Sequence, residues 1–163
     1  MENSERGKID VKENALFEDT CRELQAHPSL GATYQNEAHL RREVFKVIDG
    51  YINDKHLPLT VRDTNVESIN AFGRGKSPDI MIKFQEKRFI AIEVKYRDTS
   101  EWVLSIGIGQ AVTYSVKYPY GILFIRDTYD KDPAVKHDFD DRIKSSLMRY
   151  YRIRLIIRYN YSS

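Results

Sequence analysis

Two apolar runs, Asp79-Ile80-Met81-Ile82-Lys83-Phe84 and Phe89-Ile90-Ala91-Ile92-Glu93-Val94-Lys95-Tyr96, flank the charged stretch Gln85-Glu86-Lys87-Arg88. β-Branched and aromatic residues bounded by polar ones predict a β-hairpin. Side chains alternate between the faces of a strand, so Glu93 and Lys95 share one side with Ala91 and Phe89. Ile90, Ile92, Val94 and Tyr96 take the other side. A strand apolar on both sides belongs inside a covered sheet, which puts these two ionisable groups in a partly dry cleft. Unpaired charges there cost several kcal/mol, so they require each other, a third charge or a cation.

Register decides whether Asp79 joins them. Pairing Phe84 with Phe89 sets Ile80 opposite Glu93 and turns Asp79 away. Pairing Gln85 with Phe89 sets Met81 opposite Glu93 and Asp79 opposite Lys95, so that all three groups converge. Convergence predicts an odd loop of about three residues, or a bulge.

Helical spacing dominates on either side. Leu40, Val44, Ile48 and Tyr51, with Val47 beside them, predict a helix over 37–52 with Thr33 or Asn36 as N-cap. Glu37 falls within that apolar stripe, whereas Glu43, Arg42, Lys46 and His39 lie off it. Glu37 is therefore either an inward acid or a solvated glutamate favoured by the helix dipole. The stretch 102–117 is apolar nearly all round, as for a helix on a sheet, and Pro119 stops it. Gln110 and Tyr114 stack four apart there, and Gly107 and Gly109 point to close backbone approach. Short strands are expected at 59–63 and 65–69, a further strand at 120–126, a helix over 139–150 and a last strand at 152–159. Strands interleaved with helices define an α/β protein. Upstream, 1–14 is polar, 15–25 reads as a helix burying Leu16, Phe17, Cys21 and Leu24, and 27–31 is a loop or hinge.

The central residues suit a divalent ion. Magnesium takes oxygen ligands, engages one or two carboxylates and keeps waters. Asp79 and Glu93 offer the carboxylates and the Val94 carbonyl a further oxygen. Lys95 is spaced to orient a water or to neutralise charge developing on a phosphate. A structural Glu93–Lys95 salt bridge is the plainer alternative, but it leaves Asp79 unexplained.

Pro78-Asp79, thirteen intervening residues and Glu93-Val94-Lys95 resemble the PD-(D/E)xK nuclease superfamily, which includes restriction endonucleases, archaeal Holliday junction resolvases and RecB-type nucleases. The resemblance covers about residues 37–126 and implies a restriction endonuclease-like core, a mixed central sheet flanked by helices in the order αβββαβ. It implies Mg2+, with Mn2+ as a substitute, held by Asp79, Glu93 and the Val94 carbonyl, with Glu37 completing or flanking the metal and Lys95 assisting catalysis. Gln110 and Tyr114 are similar to the Q-x-x-x-Y pair of RecB-like members, beside the active site and DNA. Gln110 capping a core tyrosine is the alternative. Small members of this kind usually dimerise to cut two strands. The expected function is a structure-selective or resolvase-like DNA endonuclease. A catalytically silent nucleic-acid- or protein-binding member, or a nuclease for RNA or single-stranded ends, remains open.

Composition bounds this picture. At 163 residues with 41% hydrophobic content the chain forms one domain, with 1–36 as an N-terminal segment and helix and 37–163 as the nuclease-like part. Net charge is only +2, but 1–36 carries −3 and the remainder +5. Arg152, Arg154 and Arg158 share one face of the last strand, as a phosphate-contacting stripe or as an edge kept from aggregating. Arg74 and Lys76, in the glycine-flanked loop Phe72-Gly73-Arg74-Gly75-Lys76, are better placed to hold DNA. A single cysteine, Cys21, excludes an internal disulfide and an iron–sulfur cluster and suggests a reducing compartment. The four histidines lack zinc-ligand spacing, and no P-loop, dinucleotide fingerprint or nucleophile elbow occurs. With neither a signal-peptide core nor an apolar stretch long enough for a membrane span, a cytoplasmic protein is expected.

Overall fold

The computed structural model describes residues 11–71, 74–97, 102–128 and 137–159; the side chains of 71, 74 and 137–140 are outside that description. Helix α1 (Val11–Ala26) and a 3-10 turn (Pro28–Gly31) lead into α2 (Glu37–Asp54). There follow β1 (Leu59–Arg62), the short strands β2 (Ile69–Ala71) and β3 (Arg74–Lys76), and the hairpin of β4 (Ile80–Phe84) and β5 (Lys87–Arg97). The chain continues through α3 (Val103–Tyr114), β6 (Tyr120–Asp127), α4 (His137–Tyr151) and β7 (Ile153–Tyr159). Five strands form one mixed sheet in the order β1-β4-β5-β6-β7, with β1, β4 and β5 antiparallel and β5, β6 and β7 parallel. Parallel neighbours need crossovers, which α3 and α4 supply.

The two faces of the sheet are covered by different helices. Phe17 and Leu24 of α1 and Leu40, Val44 and Ile48 of α2 pack with Ile80, Ile82, Ile90, Ile92, Val94, Ile122 and Phe124. On the opposite face, Ala111 of α3 and Leu147 of α4 pack with Leu123, Ile125, Ile153 and Leu155. β5 is thus apolar on both sides because it is covered on both, as its pattern predicts. Asn36 is the N-cap of α2, its side-chain oxygen accepting from the His39 amide at 2.9 Å. His39, off the apolar stripe, is half-buried, its ring edge-on to Tyr34.

Several elements differ from the expected ones. The 65–69 segment is not a strand: Asn65 has φ 53° and strand begins only at Ile69. The glycine-flanked stretch is not a plain loop, because Ile69 pairs with Lys76 and Asn70 with Gly75 in a separate hairpin. The hinge at 27–31 is a 3-10 turn capped by His27. Helix α3 stops at Tyr114, and Trp102, Ile106 and Val116 are exposed. A helix touching a sheet buries one face, and none of the described elements covers the other.

The two glycines of α3 separate in the same way. A Cβ on Gly107 would stand 2.8 Å from Leu123 Cδ1 and 3.2 Å from Lys95 Cγ, so the helix does approach the sheet closely there. A Cβ on Gly109 would meet nothing within 4 Å among the described residues beyond its own helix, so the close approach expected of it is not seen. Gly109→Ala is expected to raise stability by about 1 kcal/mol through helix propensity. Gly107→Ala should lose about 1 kcal/mol net, because overpacking costs about 1–3 kcal/mol. Urea denaturation measures both, and equal stabilisation by the two changes would refute the close approach.

Candidate functional site

The β4–β5 turn is two residues long. Gln85 (φ 49°) and Glu86 (φ 62°) are both left-handed, as primed hairpin turns require. Phe84 pairs with Lys87 and Lys83 with Arg88; the register then shifts, and Ile82, Met81 and Ile80 face Ile90, Ala91 and Ile92. The expected three-residue loop is therefore absent, and Met81 opposes Ala91 rather than Glu93. The bulge restores the parity on which convergence depends: one step past Ile80–Ile92, Asp79 comes abreast of Glu93. It also corrects the side assigned to Phe89. As the inserted residue, Phe89 joins Ile90 against the α1–α2 layer instead of lying with Ala91.

Five charged groups meet at this end of the sheet: Asp79, Glu93, Lys95, Glu37 and Arg41. The Asp79 Oδ2 accepts from the Val94 amide at 2.9 Å, and its Oδ1 lies 3.5 Å from Arg41 of α2. In an antiparallel pair a residue directs its N–H and C=O to the same side, so the Val94 carbonyl also faces the Asp79 side of β5. Glu93, only 2% exposed, accepts from the Lys95 ammonium at 2.6 Å through Oε1. The same ammonium is 3.5 Å from Glu37 Oε1, and Glu37 Oε2 accepts from the Tyr96 amide at 3.3 Å. Glu37 is thus the inward-reaching acid of α2, although its side chain keeps 45% exposure. Asp79, Glu93, Lys95 and Glu37 are brought together as expected. Arg41 was missed; its signal was its position one turn after Glu37.

Tyr114 is buried on α3 and donates its hydroxyl proton to the Ser77 carbonyl at 2.8 Å, fixing the backbone before Pro78-Asp79. Gln110 does not cap that hydroxyl. Among the described residues its Oε1 is buried without a hydrogen-bond partner, and so is Glu93 Oε2, because the Tyr114 hydroxyl beside Glu93 spends its one proton on Ser77. A buried carboxylate oxygen lacking a donor costs about 1–3 kcal/mol or more, and a cation relieves that cost. Among the described residues no group of three or more His, Cys, Asp or Glu side chains is placed to hold a metal ion. Each acid is instead turned to its own protein partner. Two carboxylates and a carbonyl nevertheless fit magnesium, which keeps waters for the rest of its shell.

Burial, and after it the neighbouring Asp79, raises the Glu93 carboxyl to about 6 despite Lys95. Burial alone would lower Lys95, but Glu93, Glu37 and Asp79 together hold it above the usual lysine value. Burial and then Glu93 push the Tyr114 hydroxyl up, so it stays protonated as a donor. A carboxyl whose folded pKa is raised favours the fold while protonated. That contribution, about 2 kcal/mol, is complete below the unfolded value and is lost as pH rises through the folded one. Carbon-13 titration of the Glu93 carboxyl is expected to turn near about 6, and a midpoint at or below 4.5 would refute its desolvation. Urea midpoints should fall across that window in the wild type but not in Glu93→Gln.

The remaining candidates lie elsewhere. Lys76 is exposed on β3, and the Arg74 side chain is outside the described residues. Arg154 donates to Glu18 of α1 at 2.5 Å and Arg158 to the Gln25 carbonyl, while Arg152 is left-handed and precedes β7. These arginines do not form a free stripe, because two of them fasten α1 to the sheet. Cys21 is buried beneath that contact, and burial pushes its thiol up to about 12. Concavities of ≈ 290 Å³ between α1 and α2 and ≈ 510 Å³ beside α4 and β7 are lined by none of the central acids. Among the described residues no helix is long and apolar enough to cross a membrane.

The fold and site together describe a mixed α/β protein with a charged cluster at the ends of its central strands. No protein-family model, curated protein or solved structure matches the chain.

Proposed function

We propose that the protein is a divalent-metal-dependent nuclease that hydrolyses DNA phosphodiester bonds. The observation that carries this reading is Glu93: a buried carboxylate with one oxygen on Lys95, the other without a hydrogen bond among the described residues, and Asp79 alongside. The order α2, β1, β4, β5, α3, β6, with strands adjacent as β1-β4-β5-β6, supports a PD-(D/E)xK-type core in which β2 and β3 are an insertion.

Asp79, Glu93 and the Val94 carbonyl would hold Mg2+ or Mn2+, with Glu37 flanking them. When bound, the ion polarises the phosphate and lowers the pKa of an attacking water. Lys95, kept charged by Glu93 and Glu37, neutralises negative charge that grows on the phosphate. Tyr114 holds the Ser77 carbonyl and so the position of Asp79. Gln110, exposed in part, offers its amide to the sugar-phosphate backbone. A resolvase-like endonuclease acting as a dimer is the subclass we favour, on the resemblance of Pro78-Asp79 and Glu93-Val94-Lys95 to that superfamily.

A second reading has an observation of its own. The acids are engaged by Lys95, Arg41 and strand amides, as in a catalytically silent member that binds nucleic acid or protein. Incubation with supercoiled plasmid, branched junctions and RNA, with magnesium or manganese against chelator, separates the two. Metal-dependent cutting that is lost in folded Asp79→Ala supports the nuclease, and equal cutting by that variant defeats it.

A further inference from the structure

Arg41 has an incomplete set of partners. Its NH1 lies 3.5 Å from Asp79 Oδ1, at the outer limit for a hydrogen bond, and its Nε is buried without a hydrogen-bond partner among the described residues. Among the described residues it makes no other hydrogen bond or ion pair. The side chain is 43% exposed, so the guanidinium borders solvent at the mouth of the cluster. Asp79 has the opposite balance: its Oδ2 is well held by the Val94 amide at 2.9 Å, and among the described residues its Oδ1 has only the long contact to Arg41. Arg41 also sits one helical turn after Glu37, on the side of α2 that reaches the end of β5.

A divalent cation at Asp79 competes with this guanidinium for the same oxygen. We propose that Arg41 is an exchange partner: it neutralises Asp79 until a divalent cation takes the carboxylate, and then binds a phosphate of the nucleic-acid backbone. The inference rests on the nuclease reading and adds the group that receives the substrate. A guanidinium presents a planar fork of donors that matches phosphate oxygens in pairs, and the terminal nitrogens of the half-exposed Arg41 side chain offer that fork once Asp79 is taken from them. The cation thereby prepares its own substrate site, because phosphate reaches Arg41 only after Asp79 has been taken from it.

Opposite signs at the two ligands test the exchange. Manganese binding, followed by calorimetry on the full chain, is expected to be about 1.5- to 5-fold tighter in Arg41→Ala than in the wild type, the range of a half-exposed ion pair. Binding of a fluorescent DNA duplex with calcium in place of magnesium should weaken in the same variant. Its dependence of log affinity on log salt should become shallower by about 0.9, the release expected for one phosphate. With chelator the wild type and the variant should share one slope, because Asp79 then occupies Arg41. Arg41→Lys is expected to restore the slope while recovering only part of the affinity, since it keeps the charge but not the fork. Weaker manganese binding by Arg41→Ala, an unchanged slope, or an equal deficit with calcium and with chelator would each overturn the exchange. A wild-type protein that binds neither manganese nor DNA would overturn the nuclease reading along with it.

Discussion

Arg126→Met is expected to lower stability by about 3–5 kcal/mol, the range for removing one partner of a buried charged interaction. Arg126 is fully buried in β6. Its Nε donates to the Ala32 carbonyl at 3.0 Å, and its two terminal nitrogens donate to Gly31 at 2.7 Å and Arg158 at 2.9 Å. These carbonyls belong to the connection between α1 and α2 and to β7, so one side chain fastens the N-terminal layer to the sheet. Burial lowers the arginine below its ordinary value, which reflects the cost of desolvating it. Hydrogen bonds from a charged donor contribute about 1.5–3 kcal/mol each, enough in sum to outweigh that cost. Methionine retains most of the apolar stem but leaves the three carbonyls without this donor. A melting-temperature drop on the order of 10 °C follows for a domain of this size. Amides of α1 should lose hydrogen-exchange protection before those of β5. A loss under about 1 kcal/mol would show that the carbonyls find other donors.

Lys95→Met is expected to have the larger functional effect. Lys95 lies 2.6 Å from Glu93 and 3.5 Å from Glu37, with its side chain 12% exposed. Without it, Glu93 is a desolvated carboxylate beside Asp79, and its pKa climbs beyond about 6. A larger share of the carboxyl then holds a proton near neutral pH, and the protonated form is a poor ligand for a cation. Under the proposed nuclease activity, loss of the ammonium also removes charge stabilisation at the phosphate, so cleavage should fall roughly 100- to 10,000-fold. Stability should respond to pH. The penalty is about 3 kcal/mol at pH 8, where ionised Glu93 has lost its partner, and under about 1 kcal/mol at pH 5, where protonation relieves it. Urea titrations at both pH values and single-turnover cleavage of plasmid measure the two effects. Undiminished cleavage would remove Lys95 from catalysis, and a pH-independent penalty would mean that Glu93 is not the group left unpaired.

The alternating and helical patterns were enough to locate the hairpin, α2, α3, β6 and the apolar face of α1. These depend on local periodicity, and local periodicity is written in neighbouring residues. The Asp79–Glu93–Lys95 set was legible for a related reason, since charges inside apolar strands stand out wherever the strands lie. Where such a pattern was diluted by glycine, serine and asparagine, as in 65–76, the strands were misplaced. There pairing across the hairpin, and not propensity, decides which residues are extended. The C-terminal arginines show the same limit, because the strand face they share says nothing of a helix more than a hundred residues earlier packing against it.

By itself the sequence determined an α/β chain whose central strands carry two acids and an amine. Tertiary structure decided the rest. A one-residue bulge in β5 set the parity that puts Asp79 beside Glu93, because strand side chains alternate and a single inserted residue exchanges the faces. The closing of α2 over the sheet brought Glu37 and Arg41 to the same place, a contact across about forty to sixty residues that no local pattern encodes.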